Sequence, residues 1–171
     1  MDITINVKRI NEEAVIPKFA HPTDSGFDLF TCEDIAIGPG ETEIVKTGLI
    51  FEIHRGWGVQ IKNKSGITVN GCPIYPLIVQ IGDSSTTILK QEKIDRAYIT
   101  VFEGTVDMEY RGEIGIMIRN DENFEITIPK HTKIAQGVLR KVYNCNFVEV
   151  DEISTDTTRG ENGYGSTGVT I

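Results

Sequence analysis

Asp107 and Tyr110 stand in GTVDMEYRGEIGIMIRN, residues 104–120, a hairpin-like segment that begins polar and glycine-bounded and then runs into an alternating strand. A carboxylate at a strand end acts as a general base when a water is held between it and an electrophile. Taken alone, such an Asp is more often a turn or cap residue. Asp24 and Asp28 in TDSGFDLF carry the same two readings: Asp-Ser-Gly marks turns, and an Asp two residues past one can orient a metal-bound water. Lys64, Ser65 and Gly66 place a cation, a hydroxyl and an unhindered backbone N–H in succession, which suits a phosphate oxygen. RGENGYGSTG, residues 159–168, combines the Arg159 guanidinium, the Tyr164 ring and successive backbone N–H groups, a set suited to phosphate plus a stacked base. It is not a Walker A loop, because Ser166 rather than Lys follows Gly165.

The remaining polar residues read as structural. His21, His54 and His131 have no ligand partner at useful spacing and are expected on the surface. Arg111 and Glu113 flank Gly112 and are expected to pair within the sheet or across a subunit boundary. Cys32, Cys72 and Cys145 form neither a CxxC nor a disulfide framework, which fits a reducing compartment and a cytoplasmic protein. Neither a leader segment nor a membrane-spanning apolar run is legible. Seventeen Lys and Arg against twenty-five Asp and Glu give a net charge of −8, which argues against direct nucleic-acid binding. An anionic ligand must be held locally, by a few convergent cations, glycine-rich backbone or a shared divalent metal.

These residues need rigid elements to position them, and the clear segments have period two. Ile3, Ile5 and Val7, then Trp57, Val59 and Ile61, then Ile114, Ile116 and Ile118, then Phe124, Ile126 and Ile128 each place apolar side chains on one face. Turn signals separate them, such as Gly38-Pro39-Gly40, His54-Arg55-Gly56 and Asn70-Gly71, at spacings typical of sandwiches and barrels. One short helix is expected over residues 85–97. The 171 residues suffice for one domain, residues 1–150, and residues 151–171 read as a polar, glycine-rich arm that orders on a ligand.

In order along the chain, DSGFDLF, NKSG, GTVDMEYRGE, TKIAQGVL and RGENGYGSTG resemble the five motifs of trimeric dUTPases, and the resemblance covers nearly the whole chain. It implies an all-β, jelly-roll-like β-clip fold and a homotrimer with shared active sites, the flexible arm closing over a neighbouring subunit. It also implies hydrolysis of dUTP to dUMP and pyrophosphate with Mg2+. By resemblance, Asp107 activates the water that attacks the α-phosphorus, and Asp28 orients water on the metal. Ser65, catalytic with Asp107, and the Gly66 N–H contact the phosphates near the bridging oxygen, and Lys64 and Gln136 contact phosphate as well. Tyr110 packs under the deoxyribose, and the backbone of residues 101–107, Gly104 included, reads uracil. Arg159 reaches the γ-phosphate, Tyr164 stacks on uracil, and Gly163, Gly165 and Ser166 complete the arm.

Three departures stand out. The family usually has Arg where Lys64 stands, and Lys lacks the bidentate fork. It usually has Phe where Tyr164 stands, a change that keeps the stacking face. From Ser65 to Asp107 is 42 positions, so about 27 residues, 71–97, are expected to be an insertion, either surface decoration or a contact for a protein partner. That second option keeps open a nucleotide-gated regulatory role for the fold. A dCTP deaminase needs a proton-shuttling Glu where this chain has Met117, and a thioether cannot transfer protons. An aspartic protease around Asp24 lacks the apolar strand that should carry its loop.

Overall fold

The computed structural model describes residues 3–81 and 90–161. The alternating segments form strands, because period two puts every second side chain on the same face of a pleated ribbon. The first half contains β1 (Asn6–Arg9), β2 (Phe27–Phe30), β3 (Ile35–Ile37), β4 (Thr42–Glu52), β5 (Trp57–Lys62) and a short helix, α1 (Ser65–Asn70). The second half contains β6 (Cys72–Ile81), β7 (Lys90–Ala97), β8 (Ile99–Val101), β9 (Gly104–Val106), β10 (Glu113–Asn120), β11 (Ile126–Ile128) and β12 (Lys133–Lys141).

Two four-stranded antiparallel sheets, ordered β1-β4-β10-β8 and β2-β12-β5-β9, enclose the core, with a small β11-β3 pair beside them. β10 shows the principle most plainly: Ile114, Ile116 and Ile118 are fully buried while Gly115, Met117 and Arg119 face outward. The sheets meet through side chains such as Phe27 of β2 and Phe51 of β4, whose rings touch edge to face at 6.1 Å. Asn120, buried where β10 ends, donates from Nδ2 to the carbonyls of Ile37 and Phe124 and accepts the Glu122 N–H, so its polar groups are satisfied.

Residues 104–120 read as a hairpin but fold otherwise. β9 pairs with β5 and β10 with β4 and β8, so the intervening turn carries the chain from one sheet to the other. Arg111 and Glu113 do not pair with each other: Arg111 donates to the carbonyls of Met108 and Tyr110, and Glu113 accepts the Gly48 N–H.

The helix expected over residues 85–97 is not found. Residues 90–97 are β7, antiparallel to β6 in a two-stranded ribbon, while residues 85–89 lie outside the described residues. KQEKIDRA has helix-forming residues, but pairing with the β-branched run of β6 overrides that local preference. Pro73 and Pro76 sit at the register shift between Pro73 and Leu77, where a missing ladder donor costs least. The base of this ribbon is part of the core. Cys72, Ile74 and Ala97 are buried with the rest, and the Tyr75 hydroxyl bonds the Asp34 carboxylate at 3.2 Å. Within the described residues no helix is long and apolar enough to cross a membrane.

Ile74 is 4 % exposed and Ile78, on the same strand, 73 % exposed. In urea unfolding, Ile74→Ala is expected to cost about 2–4 kcal/mol. Ile78→Ala should stay within about 0.5 kcal/mol. Equal effects would show that the ribbon is not anchored at its base.

Candidate active site

The register of the second sheet aligns Asp28, Gln136 and Lys62 across β2, β12 and β5. Phe27 and Leu29 point into the core, so Asp28 lies on the opposite face. It is nevertheless buried, because two lysines cover it. Lys64, just past β5, donates from Nζ to Asp28 Oδ1 at 2.7 Å, and Lys133, at the start of β12, reaches Oδ2 at 2.8 Å. Burial by itself pushes the Asp28 carboxyl up, but the hydrogen bonds and charges of Lys133 and Lys64 outweigh it and hold the group below the ordinary aspartate value.

Ser65 and Gly66 follow at the start of α1, both exposed, and a Cβ on Gly66 would meet nothing within 4 Å. The first N–H groups of a helix have no partner within it, so this backbone is open to an acceptor. Asn63 shapes the turn: its Oδ1 accepts the Lys64 N–H and its Nδ2 donates to Thr68 Oγ1. A pocket of about 460 Å3 opens here, lined by Lys64, Gly66, Lys133 and, from the β6–β7 ribbon, Arg96. No motif flagged Arg96, since its place in the pocket depends on the pairing of β6 with β7.

Asp107 begins the turn between the sheets, which the Tyr110 N–H closes by donating to the Asp107 carbonyl. Its side chain is exposed, and among the described residues its carboxylate makes no ion pair and accepts no hydrogen bond. Tyr110 lies over Gly112, where a Cβ would run into the phenol ring, and its hydroxyl donates to the Glu113 carbonyl at 3.1 Å. Asp107 and Tyr110 line a pocket of about 190 Å3 with Thr105, Val106 and Glu113. A cavity of about 610 Å3 borders the same turn through Met108 and Arg111 but holds none of the expected site residues.

Within one chain the expected residues therefore form two groups. Asp28, Lys64, Ser65, Gly66 and Gln136 gather near the Lys62 end of β5, with Gly104 opposite Ile61. Asp107 and Tyr110 lie beyond Val106, which pairs with Val59. Along the strand that is a separation of roughly 10–13 Å, and the two pockets share no residue. Asp24 resolves as a turn residue, its carboxylate accepting the His21 N–H. Strand β12 ends at Lys141, ahead of the compositional change at 151, and residues 143–161 are exposed. Arg159 is in that segment, while Gly163, Tyr164, Gly165 and Ser166 lie outside the described residues.

Replacing Asp28 with Asn strands two ammonium groups. We expect a cost of about 2–3 kcal/mol near neutral pH, less than for a fully buried pair because both lysines are partly exposed. A lowered folded value means that this stability is complete above the unfolded-chain value near pH 4 and is lost as pH falls through the folded value. The difference in unfolding free energy between wild type and Asp28→Asn should thus shrink below about pH 4. A difference independent of pH would mean that the lysines do not hold the carboxylate.

The dUTPase family profile matches residues 12–88 and 86–168. The deoxyuridine 5'-triphosphate nucleotidohydrolase of Clostridioides difficile is 35% identical over 164 residues, 96% of this chain and 97% of that protein. The protein of the same name from Nautilia profundicola is 37% identical over 164 residues, 96% of this chain and 98% of its own length. Among solved structures, Staphylococcus bacteriophage 80alpha dUTPase with dUpNHpp superposes with a TM-score of 0.77 at 23% identity, covering 97% of this chain and 99% of that one. A phage phi11 dUTPase variant, described with a structural Mg(II) ion, gives 0.68 at 20% identity, covering 87% and 97%. With the profile matching in both halves and relatives aligned end to end, the chain belongs to the dUTPase family.

Proposed function

We propose that this protein hydrolyses dUTP to dUMP and pyrophosphate, with Asp107 as the base that activates water for attack on the α-phosphorus. The observation that carries this is the contrast between two aspartates. Asp28 is committed to two lysines, whereas Asp107 is exposed at a hydrogen-bonded turn with no cation on its carboxylate among the described residues. A base must have a free lone pair and a fixed position, and Asp107 has both.

Uracil is read by the backbone of residues 101–107. β9 is an edge strand, so the N–H and C=O groups on its outer side, Gly104 among them, are available to a base. Tyr110, held by Glu113 and Gly112, packs under the deoxyribose and leaves no room for a 2'-hydroxyl. Ser65, the Gly66 N–H, Lys64 and Gln136 take the phosphates. Arg159, Gly163, Tyr164, Gly165 and Ser166 close the arm over them.

Among the described residues no group of three or more His, Cys, Asp or Glu side chains is placed to hold a metal. Both Asp28 oxygens already accept from lysines, leaving only their remaining lone pairs. This donor set fits magnesium that arrives on the triphosphate, with Asp28 touching it through water, and does not fit a resident ion. When bound, the ion neutralises phosphate charge.

The site is shared between copies in a homotrimer. The separation of the two groups along β5 supports this, as do the exposed Tyr143, Phe147, Val148 and Ile153, apolar side chains that a neighbouring subunit would cover. A cytoplasmic location accompanies this reading, with Cys32, Cys72 and Cys145 all free thiols.

Pyrophosphate release should be rapid from dUTP with magnesium and slow from dTTP, dCTP and UTP. Asp107→Asn is expected to lower kcat by about 10²–10⁴-fold while a non-hydrolysable dUTP analogue still binds. Binding of dUTP without cleavage by the native chain would sink the catalytic claim. Refolding Asp107→Asn together with Ser65→Ala should recover activity that neither has alone, because some mixed trimers contain an intact shared site. A mixture no better than its components would refute sharing.

A further inference from the structure

We propose that Arg96, on the β6–β7 ribbon, is a polyphosphate-binding residue of the site, contacting the β- and γ-phosphates that enter beside Lys64 and Gly66. This deepens the dUTP-hydrolysing reading and rests on it for the identity of the nucleotide. The placement follows from the base of the ribbon. Cys72 and Ala97 are paired in register and buried, which orients β7. The residue before Ala97 points to the other side of the ribbon. That residue is Arg96, which is exposed and lines the pocket of about 460 Å3 together with Lys64, Gly66 and Lys133.

Gly71 allows this approach. It joins α1 to β6 at φ 75°, and a Cβ there would lie 3.2 Å from the Ala97 carbonyl oxygen and 3.3 Å from Arg96 Cβ. Arg96 Nη1 donates to the Gly71 carbonyl at 3.2 Å, which holds the guanidinium over the start of the ribbon. One of its five donors is used in this way, and the others remain for a ligand.

Charge accounting singles it out. Lys64 and Lys133 each hold an oxygen of Asp28, and His131, also at this pocket, sits against Glu13. Among the described residues, Arg96 is the cation lining the pocket that is paired with no carboxylate. It is also the planar, always-charged group that can grip two phosphate oxygens at once, which an ammonium cannot do.

The test uses inorganic tripolyphosphate and dUMP as calorimetric probes on the full-length protein, beside dUTP turnover. Arg96→Ala should weaken tripolyphosphate binding and raise KM for dUTP by about tenfold or more, while dUMP affinity stays within about twofold. Arg96→Lys should recover part of the loss and Arg96→Gln little of it, with thermal unfolding of all three close to wild type. Tripolyphosphate binding unchanged in Arg96→Ala, equal losses for tripolyphosphate and dUMP, or no measurable tripolyphosphate binding by the native chain would overturn the proposal. If the native chain fails to release pyrophosphate from dUTP, the hydrolase reading fails, and the tripolyphosphate comparison still decides Arg96.

Discussion

A carboxylate on the outer face of a sheet is ordinarily solvated, and Asp28 is not. Its burial is tolerable only because Lys64 and Lys133 each supply an ammonium to one of its oxygens. The clamp joins three parts of the chain at one point: β2, the beginning of β12 and the turn leaving β5. It therefore fixes where the chain turns into α1, and with that the exposed backbone of Ser65 and Gly66. A residue that sequence reasoning marked as a metal partner works first as an electrostatic tie. Three of the chain's seventeen Lys and Arg, Lys64, Arg96 and Lys133, line the pocket at this point.

The same economy explains the division of the site. The length of β5 separates the cation-rich group from Asp107, so the base proposed above keeps an unpaired carboxylate instead of being neutralised by the lysines that hold Asp28. In a single chain this looks like a broken site. With copies side by side, the base of one chain and the cations of another can meet on the same nucleotide without having been in contact beforehand.

Much of this was legible in the sequence where local pattern and tertiary outcome agree. Ile114, Ile116 and Ile118 alternate in the sequence and alternate in burial, and Gly38-Pro39-Gly40 turns between β3 and β4 as such residues must. What misled was polar sequence whose structure depends on a distant partner. Residues 90–97 have helical propensity and become a strand because β6 lies beside them. Residues 104–120 resemble a hairpin because polarity marks the turn but cannot say that each flanking strand pairs elsewhere. The candidate site residues stand out in the sequence by type and order, while the Asp28 clamp does not, since Lys133, although part of TKIAQGVL, is remote from Asp28 and nothing in that motif says which carboxylate it meets. Arg96 was hidden for the same reason.

The ribbon's two ends leave the core side by side, Cys72 opposite Ala97, and this has a consequence for inheritance. A segment whose ends already meet adds little loop-closure entropy as it lengthens. Paired residues can be gained or lost at its far end without shifting the register at its base. Descendants of this chain can vary the reach of the ribbon freely, whereas Gly71, Cys72, Arg96 and Ala97 should change only together.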